Sequence, residues 1–218
     1  MFGNDTVIFQ FNGPFGVPVQ IGGTILLLPL IFISFSGGAA SLVYDLAFVG
    51  MLIGSIFLHE LGHAWGCIVQ GIPVRRIMIH GGGGFCEHDR SPSYSQQELI
   101  VAMGPIVNLA IWALASMASP MMNNFMLGWG LYWLALINLF LAIFNMLPVH
   151  PLDGGKLFQL LLLRFLPSGT ATRISGGVGL FIAALWIPGM IWLFFTVGLV
   201  LFFFPPVRLH LQMLRLKG

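Results

Sequence analysis

Three residues in the chain have the types and spacing of a metal-dependent catalytic site. His59, Glu60 and His63 form an H-E-x-x-H sequence inside an apolar segment that is long enough to be a helix. Histidines four apart lie about 40° from each other around a helix axis, so both imidazoles can reach one metal ion. A glutamate beside the first histidine can take a proton from a metal-bound water. The spacing therefore predicts a metal site with Glu60 as its general base.

The alternative is a pair of packed histidines next to a glutamate whose carboxylate reaches the membrane surface. A carboxylate within a membrane segment costs roughly 2.5–3.5 kcal/mol on insertion scales, so it needs a reason to be there. We therefore prefer the metal site.

The composition predicts a membrane protein. The 218-residue chain is 57% hydrophobic and 7% charged, whereas soluble domains carry about 25% charged residues. We expect an all-α polytopic membrane protein with about six transmembrane helices and a small β element at the membrane surface. This length leaves room for six spans and short loops, and it predicts a single integral-membrane domain without a PDZ or regulatory domain.

Apolar stretches and the residues that break them set the predicted spans. Pro188-Gly189 divides the last apolar stretch into two. The predicted spans are about 22–36, 43–70, 98–117, 125–146, 174–187 and 189–204. Strands are predicted before the first span, at 17–21, and on both sides of the glycine turn Gly81–Gly84.

The basic residues distinguish between one long final span and two short ones. With two spans, all nine basic residues fall on one side of the membrane. With one span, Arg208, Arg215 and Lys217 cross to the other side. The positive-inside rule therefore favours six spans, with both termini in the cytoplasm.

A third metal ligand has to come from another segment. A catalytic zinc needs three protein ligands and an open position for water. Asp153 is the best candidate, because it is acidic and lies in the proline- and glycine-rich segment 147–155. Such irregular backbone is tolerated at membrane depth only where it lines a cavity. Asp45 and Glu98 are the acidic alternatives, and capping a helix is the alternative role of Asp153.

A second polar cluster follows the predicted strand after the second span. His80, Cys86, Glu87 and His88 match no metal-ligand template, so we expect a solvated loop there. The roles of the Gly81–Gly84 turn, Cys86 and His88 stay open.

Three separated elements resemble the site-2 protease family of intramembrane metalloproteases. They are the H-E-x-x-H helix, the element Gly104-Pro105-x-x-Asn108, and the element Asn145-x-x-Pro148-x-x-Pro151-Leu152-Asp153-Gly154-Gly155. The resemblance covers about residues 15–165. It implies zinc held by His59, His63 and Asp153, with Glu60 as general base. By analogy, Asn108 and Asn145 position the substrate or the oxyanion.

The resulting hypothesis is an intramembrane zinc endopeptidase that hydrolyses peptide bonds within or beside transmembrane segments, in regulated intramembrane proteolysis. It predicts transmembrane protein substrates and the lipid bilayer as partners, leaves room for a regulatory membrane partner, and predicts no nucleic acid. A strand edge near Val74–Ile79 would hold the unwound substrate by strand addition. His150 would line the path of water and help to position the substrate.

Two other classes of function stay open. A metal transporter would carry polar residues through the whole bundle, whereas here they cluster toward the predicted cytoplasmic half. A membrane adaptor would keep the bundle only to bind partners, and an intact glutamate beside two zinc-spaced histidines argues against it.

Overall fold

The structure, a computed structural model, describes residues 5–34, 38–197 and 203–215. Its strands are β1 (Val7–Asn12), β2 (Pro18–Gly22), β3 (Val74–His80) and β4 (Gly83–His88). Its helices are α1 (Leu27–Phe32), α2 (Ala39–Ile68), α3 (Tyr94–Ala118), α4 (Phe125–Asn145), α5 (Asp153–Leu163), α6 (Ser168–Val197) and α7 (Val207–Arg215). The chain divides into two compact units, residues 1–143 and 144–218.

Apolar helices make this an integral membrane protein. Within the described residues, 4 helical stretches are long and apolar enough to cross a membrane, and they contain α2, α3, α4 and α6. The predicted fold class, a helical membrane protein with a small sheet, is confirmed. The predicted count of six spans is only approximate, and the single-domain organisation stays a prediction.

The first predicted span, 22–36, is shorter as a helix than expected. The apolar helical stretch ends at Phe32, after roughly 15 Å. Ile33 is extended, with φ −88° and ψ 121°, and the backbone N–H of Ser34 donates to a carboxylate oxygen of Asp45 at 2.9 Å. The helix ends here because the backbone N–H of Ser34 donates to the carboxylate of Asp45 instead of to a carbonyl oxygen of the preceding helical turn. Residues 35 and 36 lie outside the described residues.

The strands form one mixed sheet in the order β1-β2-β3-β4. Neighbouring strands are antiparallel except for β2 and β3, which pair in parallel through Val19–Ile21 and Ile77–Ile79. Residues 77–79 are therefore paired on both sides, because β4 covers the other edge. The predicted exposed edge at Val74–Ile79 is therefore wrong for residues 77–79. Among the described residues, the outer strands are β1 and β4.

The sheet and α2 share one apolar core in the first unit. Val19, Ile77 and Ile79 of the sheet are fully buried and cluster with Ile56 and Ala64 of α2. This packing places β4 and the middle of α2 side by side, and so brings the glycine turn toward the H-E-x-x-H sequence.

Glycines allow α2 and α3 to pack closely. A Cβ at Gly62 would lie 2.7 Å from the carbonyl oxygen of Met103, and one at Gly66 would lie 3.0 Å from Cα of Ile100. Small residues four apart are a common means of close helix packing in membranes. The glycine inside the H-E-x-x-H sequence therefore holds α3 against the two histidines.

In the second unit, α6 runs from Ser168 to Val197 and passes through Pro188. The predicted division at Pro188-Gly189 into spans 174–187 and 189–204 is therefore wrong. A membrane helix tolerates proline where local adjustments and neighbouring groups satisfy the freed backbone carbonyl. Residues 198–202 of the last predicted span lie outside the described residues.

The last described segment returns along α6. Nε1 of Trp186 donates to the carbonyl oxygen of Phe203 at 2.6 Å. Further along, the ring of His210 lies against Gly179, and Met213 lies beside Gly176. Later residues of the last segment thus contact earlier residues of α6. α7 is therefore antiparallel to α6 and leads back toward the amino end of α6.

Candidate metal centre

The two histidines of the H-E-x-x-H sequence lie side by side on α2. His59 and His63 are 5% and 8% exposed, and their Nε2 atoms are 3.1 Å apart. Two nitrogens bound to one tetrahedral zinc at about 2.0–2.1 Å would lie about 3.3–3.4 Å from each other. The observed separation is close to this value, so the pair fits a shared metal ion.

The other ring nitrogen of each histidine contacts an oxygen. Nδ1 of His59 is 2.5 Å from Oδ1 of Asn108, and Nδ1 of His63 is 2.7 Å from the carbonyl oxygen of Ile100. A carbonyl oxygen only accepts, so Nδ1 of His63 carries the proton and its Nε2 keeps a lone pair. Oxygen acceptors in this position orient imidazole ligands and raise their basicity.

Gly104 of α3 leaves space where the two imidazoles converge. A Cβ at this position would lie 2.5 Å from Nε2 of His63 and 2.7 Å from Nε2 of His59. A side chain there would fill the space that a metal ion needs. The glycine of the predicted Gly104-Pro105-x-x-Asn108 element therefore fits a site for an ion.

Glu60 is 5% exposed and lies against β4. A Cβ at Gly84 would be 2.6 Å from Cγ and 3.0 Å from Oε1 of Glu60. Only glycine leaves room for the carboxylate at this position. Sequence reasoning left the role of the Gly81–Gly84 run open, and the structure shows that the run begins a strand directly beside the predicted general base.

Asp153 is the first residue of α5 in the second unit and is 4% exposed. Its Oδ1 is 3.5 Å from Nζ of Lys156. Gly154 and Gly155 have no room for a Cβ, because the backbone of residues 146–149 lies there. The Asp-Gly-Gly sequence thus holds the start of α5 tightly against the proline-rich segment before it.

His59 and His63 of the first unit, and Asp153 of the second, each offer a buried donor of a type that binds metal ions. Two imidazoles and one carboxylate are the ligand types of a known class of catalytic zinc sites, in which water takes the fourth position. The chemistry of the donors therefore fits zinc.

Asn145 and His150 belong to the second unit. Asn145 is the half-buried last residue of α4. Nε2 of His150 is 3.4 Å from Oγ of Ser175. Burial, assisted by the neighbouring His210, lowers the pKa of His150 to about 4. The predicted role of Asn145 and His150 in positioning substrate stays a prediction.

Asn108 belongs to a buried network with Asn138 and Ser55, two residues to which sequence reasoning gave no role. Asn108 and Asn138 are both 0% exposed, and Nδ2 of Asn108 donates to Oδ1 of Asn138 at 2.7 Å. Nδ2 of Asn138 in turn donates to Oγ of Ser55 and to the carbonyl oxygen of Leu134, both at 2.9 Å. The available signal was an asparagine in an apolar helix. The predicted substrate-positioning role of Asn108 stays a prediction; its observed partners on α2 are the ring of His59 and the carbonyl oxygen of Ser55.

Glu87 of the second polar cluster forms two ion pairs. Glu87 of β4 pairs with Arg76 at 2.6 Å and with Arg75 at 3.2 Å, and the hydrogen bond from Arg76 lowers the pKa of Glu87. Within the part of the chain that the structure describes, the metal-ligand group is the one that contains His59, and His80, Cys86 and His88 are not members of it.

The fold and the donor set define an integral membrane protein with a candidate zinc centre of the H-E-x-x-H type. The profile of Peptidase family M50 matches residues 47–127 and 115–186 of the 218-residue chain. The chain therefore belongs to this family, and the predicted resemblance to site-2 proteases is confirmed.

Known proteins agree with this assignment. The chain is 28% identical over 165 residues to the zinc metalloprotease MJ0392 of Methanocaldococcus jannaschii. This alignment covers 75% of the chain and 48% of the relative. It is 32% identical over 127 residues to stage IV sporulation protein FB of Bacillus subtilis, which covers 55% of the chain and 42% of that relative. The chain thus spans about half the length of the curated relatives it matches.

The fold also matches a solved structure. The site-2 protease from Methanocaldococcus jannaschii superposes with a TM-score of 0.69 and covers 96% of both chains. At 24% sequence identity, this match establishes a shared fold.

Proposed function

We propose that the protein is an intramembrane zinc endopeptidase that hydrolyses peptide bonds within or beside transmembrane segments of other membrane proteins. One observation carries the proposal. The Nε2 atoms of His59 and His63 are 3.1 Å apart on a membrane helix, directly beside the buried carboxylate of Glu60. Membership of a peptidase family supports the same reaction.

Asp153 is the proposed third ligand. Burial of an ionised carboxylate is costly unless a cation or hydrogen bonds compensate for it. Asp153 is 4% exposed, and its Oδ1 pairs with Nζ of the partly exposed Lys156 at 3.5 Å. A metal ion bound by Asp153 would further compensate for the charge of this buried carboxylate.

The chain's own residues divide the reaction between them. When bound, zinc lowers the pKa of a water molecule toward 7 and polarises the scissile carbonyl group. Glu60 accepts the proton of the attacking water and returns a proton to the leaving amine. His59 and His63 present Nε2, while their Nδ1 contacts to Asn108 and Ile100 hold the rings in place.

The edge of β4 is the proposed site for an unwound substrate segment. A helical substrate hides its peptide bonds, and strand addition to an exposed sheet edge would hold it extended. Among the described residues β4 is an outer strand of the sheet, and its Gly84 lies against Glu60. A strand added to β4 would therefore run close to the proposed general base. This replaces β3, whose residues 77–79 are paired on both sides.

We further propose that the basic loops and the segment after α6 face the cytoplasm. The antiparallel return of α7 along α6 supports this side, because it brings Arg208 and Arg215 toward the end of α6 that carries Arg173. Sequence reasoning assumed that a single long final span would carry these basic residues to the other side of the membrane. Because α7 returns along α6, one long α6 does not separate them from Arg173. Regulated cleavage and a regulatory membrane partner are part of the same proposal.

Two variants test the enzymatic proposal. Glu60→Gln should keep zinc, because the glutamate is not a proposed ligand, but cleavage should fall by at least about 10²-fold, the usual contribution of a general base. Asp153→Ala should lose both zinc and cleavage. The readouts are metal analysis of purified protein and cleavage of single-span membrane peptides in lipid nanodiscs. Normal cleavage by Glu60→Gln would refute the mechanism, and loss of zinc from it would show that the ligand set is wrong.

A further inference from the structure

A chain of buried hydrogen bonds leads from the backbone of α4 to the imidazole of His59. The carbonyl oxygen of Leu134 is 2.9 Å from Nδ2 of Asn138. Oδ1 of Asn138 is 2.7 Å from Nδ2 of Asn108, and Oδ1 of Asn108 is 2.5 Å from Nδ1 of His59. The chain connects α4, α3 and α2, and both asparagines in it are 0% exposed.

The direction of these hydrogen bonds follows from their starting point. A backbone carbonyl oxygen can only accept, so Asn138 must turn its NH₂ group toward Leu134 and its oxygen toward Asn108. Asn108 must then donate to Asn138 and present its own oxygen to His59. Reversing either amide would place two acceptor oxygens 2.7–2.9 Å apart, a separation too short for a water molecule to lie between them.

We propose that Asn138 is a positioning residue for the metal centre, acting through Asn108 to place the ring proton of His59 on Nδ1. This inference rests on the proposed function, because it concerns His59 as a metal ligand. A histidine with its proton on Nδ1 keeps the lone pair on Nε2 for a metal ion. In the opposite tautomer, Nε2 of His59 would carry the proton. That nitrogen would then have no lone pair for a metal ion at the point where Nε2 of His63 also faces the site.

Asn138 has a second partner that provides a control. Its Nδ2 group also donates to Oγ of Ser55 at 2.9 Å. Removing that hydroxyl leaves the carbonyl oxygen of Leu134 in place, so the orientation of Asn138 survives. Replacing Asn138 by leucine removes the shorter of two hydrogen bonds from Nδ2 of Asn108 and leaves only the contact with the carbonyl oxygen of Ser55 at 3.5 Å. The amide can then rotate and offer its NH₂ group to His59.

The first experiment measures zinc affinity with a competing chelator. Asn138→Leu should bind zinc about 10–100-fold more weakly, the usual cost of losing an outer hydrogen-bond partner of a ligand. Ser55→Ala should lose much less affinity. The double variant Asn108→Leu/Asn138→Leu should bind zinc about as weakly as Asn108→Leu alone, because the two residues act in one chain. Equal zinc affinity of Asn138→Leu and the unmodified protein would overturn the proposal.

The second experiment reads the tautomer directly in metal-free protein. Nitrogen-15 NMR of labelled histidine distinguishes an Nδ1 proton from an Nε2 proton, and comparison with His59→Ala assigns the His59 signal. We expect the Nδ1 tautomer in the unmodified protein and its loss in Asn138→Leu. An Nε2 tautomer in the unmodified protein would contradict the inference, even if Asn138→Leu failed to fold.

The two readouts separate this inference from the proposed function. If the protein bound no zinc but His59 showed the Nδ1 tautomer, the zinc-dependent function would fail and the hydrogen-bond chain would stand. If zinc bound tightly regardless of Asn138, the function would stand and the positioning role would fail.

Discussion

Gly104 and His63 lie so close that a Cβ at position 104 would be 2.5 Å from Nε2 of His63. The backbone of α3 therefore borders the point at which the two imidazoles converge. Glycine in this place keeps the space open, and any side chain would compete with an ion for it.

Gly104→Ala is expected to abolish or strongly weaken zinc binding, because the methyl group would occupy the metal position. Gly50→Ala on α2 is a matched control, since no described atom lies within 4 Å of a Cβ there. That control should bind zinc normally and gain up to about 1 kcal/mol of stability, because alanine favours a helix over glycine. Metal analysis and thermal unfolding measure both outcomes. Full zinc content in Gly104→Ala would show that the ion binds elsewhere.

Gly84→Ala should separate metal binding from catalysis. Its methyl group would meet the side chain of Glu60 at 2.6–3.0 Å and displace the carboxylate, while the two histidines stay in place. We expect normal zinc content, with cleavage reduced toward the level of Glu60→Gln. Gly54→Ala serves as the control, because no described atom lies within 4 Å of a Cβ there. Cleavage at the full rate by Gly84→Ala would contradict the prediction that catalysis depends on the position of the Glu60 carboxylate beside β4.

Strand addition to β4 predicts an alternating requirement for backbone donors in the substrate. Successive N–H groups of a strand point to opposite sides, so only every second one can bond with β4. N-methylation of substrate amides one position at a time should therefore raise KM at alternate positions around the scissile bond. The intervening positions are the internal control. A uniform effect at all positions would argue against strand addition.

The proposed topology predicts which loops a membrane-impermeant thiol reagent reaches in intact cells. In a protein with Cys67 and Cys86 replaced by alanine, cysteines at Ser91 and Arg208 should label only after permeabilisation. A cysteine at Asn123, in the connection between α3 and α4, should label from outside. Labelling of the Arg208 cysteine from outside would place the segment after α6 on the other side of the membrane.

His150 predicts a pH dependence of stability. Its pKa of about 4 lies below the value of about 6.5 expected in the unfolded chain. Between these values the unfolded state binds the proton, so the contribution to stability is complete above pH 6.5 and is lost as the pH falls toward 4. His150→Gln should lessen this loss, as measured by chemical unfolding at pH 7 and pH 5. Equal losses in both proteins would show that His150 is not the group responsible.

The membrane class and the proximity of the two histidines could be predicted because both depend on local features of the chain. Composition alone indicates an apolar bundle, and the four-residue spacing of His59 and His63 becomes proximity on any helix. The positions of α2, α3 and α4 were close to prediction for the same reason. α1 was predicted too long, because its end depends on Asp45 of α2, which accepts from the backbone N–H of Ser34.

Contacts between distant segments decided the rest, and local patterns do not encode them. β3 is an inner strand because β2 and β4 pair with it on opposite sides, and these pairing partners cannot be read from its own sequence. Pro188 stays inside α6, although proline usually ends a helix, and its own sequence does not distinguish the two outcomes. Gly84 lies beside Glu60, and Asn138 reaches His59 through Asn108, only because the fold packs β4, α3 and α4 against the same part of α2.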